Sequence, residues 1–423
     1  MDGAIHDGLA ALITALLCGY ALFLLVRAMR RNRPGLRIGS AIATGVILRV
    51  LAAAAVSLTG FADFLRGGDE RFFLASAHEI AATPFGSGDW LTALTSNLHE
   101  FVFALQIGAL DSPDLVLRMT QSAIAMAGIA LFAVAAYELA GARAATITAW
   151  LLALEPSGVF FSSLLHKEPN MFLAAGLVAY GGAMIWKHSS PRWLVPMVAG
   201  CLVAVATRPY AGWFLIAASA AIVLHAGLRA GQASPNRRFT LVAVVALLVA
   251  ITAPTVLEAS TDQSLQKLQS SQDANASDQS NLGLERVDFS TRTAIITNLP
   301  TRVVDVLTRP YVWQVDNISQ QLAVIGSVIT LVVFAMLIAS LWRDPRGSFA
   351  RAGPFLYITV ALLLAYSLSA GNAGTAFRYR THIVVPAIAA LVAIRVRREE
   401  QEAADPRRGP RSVRLSAGLD PTA

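Results

Sequence analysis

The chain is predicted to be an all-α polytopic membrane protein, and three observations predict it. Apolar runs of about 17–25 residues, the length that crosses a hydrocarbon core of about 30 Å, recur along it. Charged residues make up only 14% of the 423 residues against 55% hydrophobic, where a soluble domain carries roughly a quarter charged. The segments between the runs also sort by charge, alternately basic and acidic.

The runs give about eleven expected spans, near 8–26, 39–59, 115–140, 144–164, 169–186, 193–207, 211–229, 239–257, 321–342, 353–369 and 383–396, the sixth of them short. Asp2, His6 and Asp7 precede the first run in place of a basic segment, so no cleavable leader is expected. Cys18 and Cys201 both lie inside apolar runs, which suggests neither a disulfide framework nor a zinc site.

Orientation follows from counting. With the N-terminus outside and the spans alternating, the inner loops and the C-terminal tail hold 21 of the 34 basic residues but 7 of the 27 acidic ones. The outer segments hold 12 basic and 19 acidic residues. Positive loops face the cytoplasm, so the C-terminus is expected there. The same sorting accounts for the net charge of +7 without nucleic acid as a partner. Away from the span ends only Arg49 and Glu155 remain, and Glu155, beside Pro156 and Gly158, is the expected partner of Arg49.

Three parts are expected: 1–38, an extra span with a basic loop; 39–396, the main transmembrane domain; and 397–423, a disordered cytoplasmic tail. Two outer loops are long, about 60–114 and 258–320. In the first, the spacing of Phe73, Ala77 and Ile80 predicts an amphipathic helix at the interface over 70–82, and 97–110 suggests a second. The other opens with the polar run STDQSLQKLQSSQDANASDQSN, expected to be flexible.

The exceptions to the charge rule carry the chemistry. Cations and carboxylates stand at span ends on the outer side, where charges are costly and often functional. Asp69 and Glu70, after Gly67-Gly68, suit a general base on a hydroxyl or amine. His166, Lys167 and Glu168 precede Pro169, which opens a helix; this is also how an ordinary helix start looks. Arg208-Pro209-Tyr210 puts a cation before another helix, fit for an anion or for snorkelling. Arg378-Tyr379-Arg380 offers two forked donor sets that suit a phosphate.

In this order the elements resemble the lipid-carrier-dependent glycosyltransferases of the GT-C superfamily, in particular the family of protein mannosyltransferases, aminoarabinose transferases and rhizobial lipopolysaccharide transferases. Gly68-Asp69-Glu70-Arg71-Phe72-Phe73 resembles the family's Asp-Glu-x-x-Tyr first-loop motif. Gly108, Ser112-Pro113 and Leu117-Arg118 follow, then Pro156, the Lys167-Glu168 pair, Arg208, and Arg378-Tyr379-Arg380 with Pro386. Phe73 stands where Tyr is usual and Glu168 where Asp is usual.

The resemblance implies a GT-C-like fold and transfer of a sugar, with inversion, from a polyprenyl-phosphate donor to a glycan, lipid or protein acceptor at the outer face of a bacterial plasma membrane. It casts Asp69 as the base, with Glu70 supporting it or holding a divalent cation. Lys167, Arg208, Arg378 and Arg380 would hold the lipid phosphate, with His166, Glu168, Tyr210 and Tyr379 in support. Two other readings stay open: a polysaccharide polymerase or ligase, and a transporter or flippase of lipid-linked sugars. A transporter would show paired halves with broken helices meeting at mid-membrane, and no such internal symmetry is visible.

Overall fold

The computed structural model describes residues 2–59, 63–229, 262–275, 284, 287–314 and 318–404. Fifteen α-helices lie among them, with no strand: α1 Asp2–Arg30, α2 Gly39–Thr59, α3 Asp63–Ala82, α4 Gly88–Ser96, α5 Leu98–Leu110, α6 Asp114–Leu154, α7 Pro156–Ser162, α8 Glu168–His188, α9 Leu194–Thr207, α10 Pro209–Arg229, α11 Asp262–Asn275, α12 Arg292–Thr308, α13 Ile318–Arg343, α14 Pro345–Ser369 and α15 Ala373–Ala404. Eight of these helices are long and apolar enough to cross a membrane. The chain is therefore a multi-pass membrane protein built from helices. Leu12, Leu16, Leu17 and Phe23 of α1 are exposed, as lipid-facing side chains are.

The expected eleven spans compare with these eight as follows. The runs at 115–140 and 144–164 fall largely in α6, which Gly141 interrupts at φ 84°, ψ −177°. A straight helix would hold Arg118 and Leu154 about 54 Å apart at 1.5 Å per residue. Instead, Arg118 Nη1 lies 3.4 Å from the Ser163 carbonyl oxygen, and the side chains of Met126 and Ala153 both lie against Gly45. The chain thus turns back at Gly141, into two arms. The run at 193–207 gives α9, whose 14 residues are too few to cross alone. The run at 239–257 lies outside the described residues.

Two further expectations change. The polar run after Ser260 is helical over Asp262–Asn275, where flexibility was expected from its composition. The α3 face of Phe73, Ala77 and Ile80 is buried as the spacing implies, but against Trp90, Phe103 and Ile107 of α4 and α5. The three helices form a small cap with its own apolar core, so this face packs on protein where interfacial lipid was expected.

Packing at the centre depends on small residues. Alanines fill the faces of α6, α8 and α15, and the first arm of α6 crosses α8 backbone to backbone. A Cβ at Gly176 would sit 2.5 Å from the Gly128 carbonyl oxygen, and one at Gly128 would run into the Phe172 backbone. Small residues let membrane helices approach this closely and gain dispersion contacts that lipid cannot supply. Gly176→Val should therefore force the pair apart at about 1–3 kcal/mol, read as a lowered apparent Tm in detergent. An unchanged Tm would show that the crossing tolerates separation.

Candidate active site

One end of the bundle gathers the charges expected at the outer edge, from five separate segments. Asp69 and Glu70 lie on α3, Arg118 in the second turn of α6, and His166 and Lys167 between α7 and α8. Glu168 opens α8 ahead of Pro169, where a carboxylate also meets the positive end of the helix dipole. Arg208 occupies the break between α9 and α10, and Arg378 lies on the second turn of α15.

Glu168 is the hub. Its side chain is fully buried, and its Oε1 accepts from Arg208 Nη2 at 2.6 Å and faces Arg378 Nε at 3.2 Å. Arg378 Nη1 also donates to Asp69 Oδ2 at 2.8 Å. Asp69 is the exposed member, its side chain 55% accessible against 17% for Arg378. Arg208 Nη1 donates to the Tyr210 hydroxyl at 3.1 Å. The Arg208 guanidinium lies 4.6 Å from the Tyr379 ring centre, and that ring stacks on Tyr366. Two cations against one aromatic ring thus share one carboxylate in a water-poor setting.

A second layer is joined to the first through Phe73. The Lys167 ammonium stands 5.0 Å from the centre of its ring, and His99 meets the same ring edge-on at 4.4 Å. Glu100 beside it accepts from Ser76 Oγ at 2.6 Å, and Glu70 accepts from Arg118. Burial first, and then the Arg208 cation, pulls the Lys167 ammonium below its ordinary range. Beyond Glu100 a polar cleft of about 320 Å³ opens between α3, α4 and α5, lined by residues that include Glu79, Thr83, Asp89 and Asn97.

Of the residues singled out from sequence, Asp69, Lys167, Glu168, Arg208, Arg378, Tyr210 and Tyr379 come together. Glu70 is near but is held by buried Arg118. Arg380 is directed elsewhere: its Nε donates to the Val306 carbonyl at 2.8 Å, and its other nitrogens to Ser327 and the Arg309 carbonyl. It ties the end of α12 and α13 to α15 and does not join the phosphate-binding group expected of it. Arg49 and its expected partner Glu155 both reach Gly158 but form no direct ion pair. Arg49 donates to Ser162 Oγ at 2.7 Å and to the Ala153 carbonyl at 2.9 Å, while Glu155 caps α7 through the amides of Ser157 and Gly158.

His99, Glu100, Tyr366 and His382 are members that sequence reading missed, while Arg118, named among the motifs without a role, joins them through Glu70. His382 carried a visible signal, a polar side chain at the edge of an apolar run. A divalent cation at Glu70 does not fit the residues present, because Arg118 engages that carboxylate. Among the described residues no group of three or more His, Cys, Asp or Glu side chains is arranged to hold a metal ion.

The opposite end of the bundle carries a different charge set. Glu138 accepts from Arg33 at 2.6 Å and from Lys187 at 2.9 Å, and Arg143 pairs with Glu399 at 2.8 Å. Compared with protein-family models, curated proteins and solved structures, the chain matches none at a significant level.

Two measurable consequences follow from burial. Glu168→Ala leaves two guanidinium groups without their common carboxylate, and breaking a buried pair in this way costs about 3–5 kcal/mol; a fall in apparent Tm smaller than that of an exposed-pair control such as Glu399→Ala would contradict the hub. His99 and His166 are both held well below the ordinary histidine value of 6.5, by burial first. The cations act next, Lys167 and Arg208 on His99 and Arg378 and Arg208 on His166. The unfolded chain therefore binds more protons than the folded one below about pH 6.5. Their contribution is fully present above that pH and is lost as pH falls toward the lower folded values. Apparent Tm should decline below about pH 6.5, and His166→Gln should flatten the decline; an unaltered slope would contradict it.

Proposed function

We propose that the chain is a membrane glycosyltransferase of the GT-C type, moving a sugar from a polyprenyl-phosphate donor to an acceptor at the outer face of a bacterial plasma membrane. The observation that carries the reading is the meeting of Asp69, Lys167, Arg208 and Arg378 at one end of the bundle, around the buried Glu168. Its support is twofold. The residues come from the motifs that resemble that family, and a cluster of forked cations beside an exposed carboxylate matches what the reaction requires.

In this reading Arg208, Arg378 and Lys167 hold the lipid phosphate and stabilise the charge it gains as the glycosidic bond breaks. Asp69 takes the proton of the acceptor hydroxyl or amine. The acceptor atom bonds to the anomeric carbon, the carbon–oxygen bond to phosphate breaks, and its electron pair leaves with the phosphate. A single displacement of this kind inverts the anomeric centre. Glu168, Tyr210 and Tyr379 keep the arginines in place, Arg118 fixes Glu70 beside Asp69, and Arg380 anchors the outer loop. The proposed orientation, N-terminus outside and C-terminus cytoplasmic, places the basic end with Arg33, Arg143, Lys187 and Arg397 inside, in keeping with the positive-inside rule.

Lipid extracts test this directly. A strain lacking the chain should accumulate a lipid-linked sugar and lose a surface glycan, as read by mass spectrometry. The wild-type chain should restore the glycan. Asp69→Asn should be slower by about a hundredfold or more, the usual weight of a general base. Full restoration by Asp69→Asn at normal expression would remove Asp69 from the base role, and an unaltered lipid profile in the deletion strain would remove the function.

A further inference from the structure

We infer that the Asp69–Arg378 ion pair is a latch: phosphate arriving in the cation cluster displaces Asp69, so that the carboxylate is released only once the donor is seated. The inference rests on reading this cluster as a phosphate site. Arg208 and Arg378 share one oxygen of Glu168, at 2.6 Å and 3.2 Å. One carboxylate against two guanidinium groups leaves a positive charge to be met. In this structure Asp69 meets it, 2.8 Å from Arg378 Nη1.

The two carboxylates are not held alike. Glu168 is fully buried and lies between two arginines, whereas Asp69 is 55% exposed and pairs with Arg378 at the edge of the cluster. A phosphate group, with two or three charged oxygens, is a stronger and forked partner for a guanidinium than one carboxylate oxygen. It displaces the ligand that regains water on release, which is Asp69. Expelling Glu168 would instead strand a buried charge. While the pair stands, Oδ2 of Asp69 is occupied by Arg378 and only Oδ1 faces an acceptor hydroxyl. Donor binding thereby both fills the site and releases the whole carboxylate, which favours an order: lipid phosphate first, acceptor second.

Competition of this kind is reciprocal, so removing Asp69 should tighten phosphate binding. The test is the affinity of the full-length protein in detergent for farnesyl phosphate, a short polyprenyl monophosphate. Asp69→Asn and Asp69→Ser should each lower Kd about tenfold, within the range for coupled sites, while Asp89→Asn, on the neighbouring cap, should leave it unchanged. The latch is overturned if wild type binds and both Asp69 variants bind no more tightly, or if Asp89→Asn tightens binding as much, which would make the effect one of general charge. No binding by wild type would overturn the phosphate reading itself, and the latch with it.

Discussion

The buried carboxylate of Glu168 is the constraint on which the rest of this structure depends. Three elements that share no local sequence meet on its one oxygen: the start of α8, the break at Arg208 between α9 and α10, and the second turn of α15. A carboxylate at that depth is tolerated only with its charge met, and the guanidinium groups only with theirs met. Glu168 sits where it does because Pro169 starts α8 there, and α8 sits where it does because Gly128 and Gly176 let it touch α6. The packing of small residues and the placement of the charges are thus one problem. Widening the helix crossing would draw the carboxylate away from the arginines it pairs with.

Much of this was legible in the sequence, and for physical reasons. Lipid-spanning helices must satisfy their own backbone and present apolar side chains, so span positions are readable from length and composition alone. Charges at span ends stand out against apolar runs because membrane-edge charge is costly, and Asp69, Lys167, Glu168, Arg208 and Arg378 are all of that kind. The apolar face of α3 was readable from its spacing, though what covers it was not, since protein and lipid are equally apolar partners.

The failures have equally specific causes. Arg378 and Arg380 look like a pair in sequence, but residues two apart on a helix do not face each other. Only Arg378 turns to the site, while Arg380 reaches Val306, Arg309 and Ser327. Arg49 and Glu155 looked like partners because they were the only charges away from the span ends. They do meet around Gly158, while backbone groups freed at Ala153 and at the start of α7 take up their hydrogen bonds. The boundary expected between 140 and 144, by contrast, is met at Gly141, which turns α6 back on itself without a loop. His99 and Glu100 were obscured by a cap whose tertiary packing is not periodic in sequence.

The central claim, that the cations gathered on Glu168 form a phosphate site, is most directly tested by a cryo-electron microscopy structure of the full-length protein with farnesyl phosphate. The account predicts phosphate density within hydrogen-bonding distance of Arg208 and Arg378, with Glu168 still between them and Asp69 turned away. Phosphate seated at the Arg33–Glu138–Lys187 end, or a cluster unaltered with the Asp69–Arg378 pair intact beside a saturating ligand, would contradict it.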